Sequence, residues 1–242
     1  MITVGVPTLG PAAWPFVESL VALEMPPGER LRLARVGPKP VDVARNAIVS
    51  AFLATTDRWL LLVDQDAVLH PGTLLRLLSW DVPVVGALAF GRHQPFPPVV
   101  MRDRIRLADG RVGLGVQLQE MRQWLSSHNG LLASGAVLLE PAPTDALTRV
   151  TATGCHCMLV RRDVLERMPR PWFECEPGEA FGEDLFFCRR LEQMGVPVYV
   201  DRSCMAGHLV GDQSVAALDW LVWDQVSDYA QQVIEGDDAD AA

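Results

Sequence analysis

The stretch Leu60–Gly72, LLLVDQDAVLHPG, decides how the rest of the chain is read. Leu60 to Val63 have the composition of a buried strand, and they run straight into two acids one residue apart, Asp64 and Asp66. Asp is common where strands turn, so DQD taken alone is a weak signal. In open α/β sheets, however, ligands bind beyond the carboxyl ends of the strands. A carboxylate pair there suits a hard divalent cation that bridges to substrate phosphates. What else the chain brings to that edge decides between turn and site.

On either side of this stretch, strand and helix patterns alternate. ITVGV (Ile2 to Val6) reads as a buried strand closed by Pro7, Thr8 and Gly10. Val41, Ala44, Ile48, Ala51 and Phe52 recur at helical spacing up to Thr55. Trp59 to Val63 is the next strand, and Pro71 opens a helix with Leu74, Leu75, Leu77 and Leu78 on its buried side. Val82 to Ala89 is another strand. This order predicts an α/β fold with a Rossmann-like, mostly parallel central sheet flanked by helices.

Residues 91–150 read as a variable strand and loop insertion, broken by Pro95, Pro97, Pro98 and the DG and GLG turns. The α/β pattern then returns. A strand is predicted over Cys155 to Val160, a short helix near Val164 to Met168, and a helix from Glu183 to Met194 stopped by Gly195. VPVYV follows as a strand, Val215 to Ile234 as an amphipathic helix, and residues 235–242 as an acidic tail. With no internal repeat and no linker, one domain over residues 1–234 is expected.

The bulk properties narrow the function. A chain of 242 residues has ample length for a core, and its formal charge of -9 argues against a broad basic face for duplex nucleic acid. No run approaches the roughly 18 apolar residues that cross a bilayer. The opening MITVGVPTLG lacks a signal-peptide pattern, so a cytoplasmic location is expected. The spacing of Cys155 and Cys157 around His156 is not that of zinc sites. Strand alternation would put Cys155, Cys157 and Leu159 on one face as buried, structural residues. There is no phosphate loop, dinucleotide fingerprint or nucleophile elbow in the sequence. Phosphates would then be held by metal and Arg.

Four motifs occur in order: VGVPT, ARN (Ala44 to Asn46), VDQDAVLHP, and GEDLFFCRRLEQMG followed by Gly207-His208. With TGCHCMLVRRDVLERM, they make residues 1–90 and 150–210 resemble GT-A fold glycosyltransferases, similar to the family-2 group that uses nucleotide-sugar donors. That class includes phage-type DNA-modifying members. The resemblance implies a single GT-A-like domain, with residues 1–90 as the nucleotide-sugar-binding half and 151–210 as the acceptor and catalytic half. It implies that Pro7 and Thr8 line the nucleoside pocket, with Asp42, Arg45 and Asn46 near the base or phosphates, and Asp64 and Gln65 on the donor side. Asp66 would ligate Mn²⁺ or Mg²⁺, His208 would add a later ligand, and Asp64 would lie near the ribose or a metal water. Asp184 matches the general base of inverting members, and Glu183 beside it would contact the acceptor. A carboxylate at a helix start is well placed to accept a hydroxyl proton, although the helix dipole alone also favours acids there.

The expected activity is metal-dependent, inverting hexosyl transfer from a UDP-sugar, UDP-glucose or a relative, to a hydroxyl. A sugar-nucleotide nucleotidyltransferase is an alternative, but VGVPTLGPAAWP lacks its glycine-rich basic loop. A non-catalytic nucleotide-sugar-binding module is another. The acceptor is read from weaker features. In a strand, Arg102, Arg104 and Arg106 would share one face, able to bind phosphates of DNA or of a lipid carrier, or merely to guard a sheet edge. Trp172 and Phe173 either stack on a sugar or base or cover the core. A flipped hydroxymethylated pyrimidine in DNA and a polysaccharide or protein hydroxyl both stay open as acceptors.

Overall fold

Ile2–Pro7 (β1) is buried along its whole length, and Gly5 at its middle explains how closely the sheet is covered. A Cβ on Gly5 would lie 2.3 Å from Cγ2 of Ile48, so only glycine lets the overlying helix settle there. The computed structural model describes residues 1–94, 96–106, 112–115, 118–128, 136–175, 182–211, 213–215, 219–220 and 222, with backbone alone for 103–106, 112–115 and 118–119.

After β1 come helix Trp14–Val21 (α1), strand Leu31–Val36 (β2) and helix Val41–Leu53 (α2). Ala44, Ile48, Val49 and Phe52 of α2 are buried; Val49 takes the place expected for Ala51, which faces outward. Trp59–Val63 (β3) is buried throughout and is followed by the short strand Ala67–Val68 (β4), helix Thr73–Ser79 (α3) and strand Val84–Leu88 (β5). Truncating a fully buried residue here, such as Leu61→Ala, would cost about 2–5 kcal/mol.

The middle segment holds strands Val100–Met101 (β6), Asp103–Arg106 (β7) and Val112–Gly115 (β8), helix Leu118–Ser127 (α4), and strand Val137–Leu138 (β9). The helix is a departure from the strand and loop insertion expected there. Met121, Trp124 and Leu125 recur at helical spacing and bury that side of it. Next come Leu147–Val150 (β10), Ala152–Thr153 (β11), Cys157–Arg161 (β12), helix Arg162–Arg167 (α5) and helix Glu183–Gln193 (α6). Gly195, at φ 68°, ends α6 as expected. The chain continues through Val198–Met205 (β13), Gly207–Val210 (β14) and Gln213–Val215 (β15). Val215 thus closes a strand. Of the helix predicted from it, Asp219, Trp220 and Val222 are helical, and the remainder and the acidic tail lie outside the described residues.

The central sheet runs β10-β13-β5-β12-β3-β1-β2, with β9 paired to β13. β1, β2, β3, β5 and β13 share one direction, while β9, β10 and β12 oppose it. The sheet is therefore mixed, although most strands are parallel. Apolar cores cover both faces. A smaller sheet, β15-β14-β4, stands beside the carboxyl end of β3. Because β12 is antiparallel, its start meets the ends of β3 and β5. Residues just before β12 therefore join those just after β3.

Candidate active site

Three chain segments are tied together by backbone bonds at this edge. The N–H of Asp64 donates to the His156 carbonyl at 3.1 Å, and the N–H of Leu209 donates to the Asp66 carbonyl at 2.8 Å. In the β4–β14 pairing, His208 stands opposite Ala67. The turn after β3, the turn before β12 and the start of β14 form one rigid floor.

On that floor Asp66, His156 and His208 offer ligand atoms that all lie within 4.8 Å of one another. His208 Nε2 is 3.2 Å from Asp66 Oδ2, and its Nδ1 donates to the Phe90 carbonyl at 2.9 Å. The two imidazole rings are 4.3 Å apart. Burial pushes the Asp66 carboxyl up, but the histidines outweigh it and hold Asp66 below the ordinary carboxylate range. Asp66 and His208, both expected to hold a metal, therefore meet. Asp64 faces elsewhere with one oxygen: its Oδ1 accepts from Arg45 Nη2 at 2.6 Å.

His156 was grouped with the cysteines as part of a core strand, and this is corrected. The strand begins at Cys157, and residues 155 and 156 form a turn. Cys155 packs with Met158 in one core, and Cys157 with Leu159 in the other, so the two cysteines do not share a face. His156 instead turns, buried, toward the DQD carboxylates, with Nδ1 3.7 Å from Asp64 Oδ2 and 3.9 Å from Asp66 Oδ1. The cysteines are structural as expected: burial pushes the Cys157 and Cys188 thiols up to about 12, leaving them protonated and poor ligands. Arg92 is a second residue that the motifs did not flag. It follows β5 and lies 3.4 Å from Asp66, and its position past a carboxyl strand end was the available signal.

Arg45 is nearly fully buried in α2, and it pairs with Glu183 as well as with Asp64. It is an internal cross-link, where a phosphate contact was expected. Burial alone would lower the Arg45 pKa, but Asp64, Cys155, Glu183 and Asp184 together raise it. Burial likewise raises the carboxyls of Glu183 and Asp184 against the pull of Arg45. Asp64, Glu183 and Asp184 thus crowd around one guanidinium. Excess negative charge of this kind favours a further cation nearby.

Asp184 opens α6 and accepts the N–H of Leu185 at 2.8 Å. It is half-buried and adjoins Gly154, where a Cβ would stand 3.4 Å from Oδ2. Glu183 is buried with its carboxylate on Arg45, which takes that group away from an acceptor.

Asn46 faces the loop before α6. Its Oδ1 accepts from the N–H of Trp172 at 3.0 Å and of Phe173 at 3.3 Å, and its Nδ2 donates to the Phe173 and Asp42 carbonyls. Trp172 and Phe173 are buried in the core, the second of the two readings their sequence allowed. Trp172 Nε1 donates to the Leu165 carbonyl, and the Phe173 ring stacks 4.6 Å from Phe187. Pro7 and Thr8 are buried at the end of β1, and Gln65 Oε1 accepts the N–H of Leu9, binding that loop to the DQD turn. Arg102 lies between β6 and β7, so the continuous strand expected through it is interrupted, and it bonds Glu120 at 2.7 Å. The backbones of Arg104 and Arg106 are in β7, while their side chains lie outside the described residues.

The fold is similar to that of A197 from STIV, at 17% identity and TM-score 0.58, over 89% of this chain and 90% of that one. Lower-scoring structures include S. aureus TarS 1-349 (TM-score 0.48, 14% identity, 84% of this chain and 59% of that one). Another is GalNAc-T7 with UDP, GalNAc and Mn²⁺ (TM-score 0.45, 12% identity, 74% of this chain and 32% of that one). No curated protein matches the chain by sequence. No helix among the described residues is long and apolar enough to cross a membrane. The model of the family described as glycosyltransferase like family 2 matches residues 17–214. With that match over most of its length, the chain belongs to the glycosyltransferase-like family 2, whose donors are nucleotide sugars.

Proposed function

We propose that the protein is a metal-dependent, inverting glycosyltransferase that moves a hexosyl group from a UDP-sugar to an acceptor hydroxyl. The observation that carries this reading is the meeting of Asp66 and His208 at the carboxyl edge of the sheet, with Asp184 entering the same edge from α6. The donor set suits a divalent ion: a carboxylate, and an imidazole whose other nitrogen is engaged by a backbone carbonyl. Asp66 and His208 would hold Mn²⁺ or Mg²⁺. When bound, that ion neutralises the charge that builds on the departing diphosphate.

The remaining work falls to the protein's own residues. Pro7 and Thr8 wall the nucleoside side, and Gln65 keeps their loop against the DQD turn. Arg45 holds Asp64 and Glu183 in place, and Asn46 fixes the loop that leads toward α6. Asp184 takes the proton from the attacking hydroxyl as that oxygen reaches the anomeric carbon. Its raised pKa makes it a stronger base than an exposed carboxylate.

The acceptor is proposed only as a hydroxyl. Arg102 is engaged by Glu120, and no described side chain favours DNA over a polysaccharide or protein. The test is a donor screen that reads released nucleotide, with and without chelator, against hydroxymethylpyrimidine DNA and simple glycans. Divalent-dependent release that Asp184→Asn abolishes supports the reading. Absence of release with every donor overturns it.

A further inference from the structure

His156 and His208 turn toward the DQD carboxylates with opposite ring nitrogens forward. A carbonyl oxygen accepts hydrogen bonds and cannot donate them. Nε2 of His156, 3.0 Å from the Gly207 carbonyl, therefore carries a proton, and in the neutral ring Nδ1 is left as a bare lone pair. In His208 the order is reversed: Nδ1 donates to the Phe90 carbonyl, and in the neutral ring Nε2 is the bare nitrogen. The bare Nδ1 of His156 is buried without a hydrogen-bond partner, 3.9 Å from Asp66 Oδ1 and 3.7 Å from Asp64 Oδ2. Lone pairs from two imidazoles and a carboxylate converge on one small volume. They repel each other unless a metal ion lies among them or the rings take up protons.

We infer that Nδ1 of His156 is a third protein ligand beside Asp66 and His208, and that this two-imidazole, one-carboxylate set selects a first-row transition ion such as Mn²⁺ over Mg²⁺. The inference rests on the metal reading above and goes beyond it by adding a residue and choosing the ion. Mg²⁺ requires near-ideal octahedral geometry, usually from oxygen, and keeps several waters. Imidazole nitrogen binds the softer transition ions better, and a facial set of two histidines and a carboxylate leaves positions open for other ligands. Diphosphate oxygens would fill them.

The site is also preorganised for this. Backbone carbonyls fix the tautomer and rotation of both rings, as they do for metal-ligating histidines generally. Gly207 and His208 are consecutive, so one stretch of β14 both orients His156 and supplies the next ligand.

The experiment is metal titration of the full chain with Mn²⁺ and with Mg²⁺, each alone and with UDP, joined to pulsed electron paramagnetic resonance of the Mn²⁺-loaded protein. The wild type should show ¹⁴N couplings from two imidazoles and bind Mn²⁺ more tightly than Mg²⁺. In His156→Ala one coupling should vanish, and Mn²⁺ affinity should fall by at least the roughly 10- to 100-fold that disturbing an outer-shell partner costs. Mg²⁺ affinity should change far less. His156→Gln, closer in volume, guards against misfolding, and the wild-type spectrum needs no variant at all. One imidazole coupling in the wild type, or unchanged Mn²⁺ binding in both His156 variants while Asp66→Ala abolishes it, overturns the inference and leaves the metal reading standing. Binding of neither ion by the wild type overturns both, and makes His156 a resident cation for Asp64 and Asp66.

Discussion

Arg45 Nη2 lies 2.6 Å from Asp64 Oδ1 while its Nη1 meets Glu183, a residue 138 positions further along the chain. One buried guanidinium therefore joins the DQD turn to the start of α6. Removing it strands carboxylates in a half-dry crevice. Arg45→Met should destabilise the fold by about 3–5 kcal/mol, measured by urea unfolding. Arg45→Lys should recover only part of this, because a single ammonium cannot reproduce the fork.

Asp66 is the only carboxylate in the three-residue ligand cluster among the described residues. Asp66→Ala should abolish the divalent dependence of UDP-sugar binding, measured by calorimetry with and without chelator. Equal affinity for wild type and variant in both conditions would remove Asp66 from the site.

Asp184→Asn should lower turnover roughly 10²- to 10⁴-fold with donor affinity unchanged. Burial raises the wild-type carboxyl above its ordinary range. A base works only when ionised, so kcat/KM should rise with pH through that raised value and then level off. A pH–rate profile checks this, and an acid limb that survives in the Asn variant would assign it to another group.

Asp64 sets the acid limit of stability. Burial would raise its carboxyl, but Arg45 and His156 outweigh this and hold it well below the usual range. The folded state then favours the ionised form. Its contribution is fully present above the unfolded value of about 3.9 and is lost as pH falls toward the depressed folded value. Melting temperature in chelator should therefore fall more steeply below about pH 4 in the wild type than in Asp64→Asn.

Asn46 tests positioning without touching substrate. Asn46→Ala leaves the N–H groups of Trp172 and Phe173 without their acceptor and should cost about 1–3 kcal/mol. It should also lower kcat with little change in donor KM, because it loosens the loop leading to α6. A rise in donor KM alone, with kcat intact, would instead make Asn46 a donor contact.

Much of this architecture was legible locally. LLLV is an unbroken apolar run and DQD interrupts it, so both strand and site edge can be read from thirteen residues. The helix carrying Asp184 shows its apolar spacing and its terminal Gly195 just as openly. Strand direction does not appear in such patterns. CHCMLV alternates the same way whether β12 runs with β3 or against it, and only the antiparallel choice sends His156 to the edge where Asp64 and Asp66 lie. Long-range pairing is equally invisible. Arg45 and Asn46 sit in a motif that suggested donor contacts, yet their partners are Asp64, Glu183 and the Trp172–Phe173 backbone. Aromatic residues before an acidic motif look alike whether they line a crevice or, as here, fill a core.

The reversed direction of β12 also governs how this scaffold can diversify. β5 leaves the sheet at the crevice, and β12 re-enters at that same rim. The excursion between them begins and ends at the mouth of the site. Its later part is tied into the central sheet, where β9 and β10 pair with β13, so residues 91–136 are the stretch that can be exchanged for another family member's without re-threading a central strand. A new acceptor specificity could thus be grafted onto an unaltered ion and donor platform.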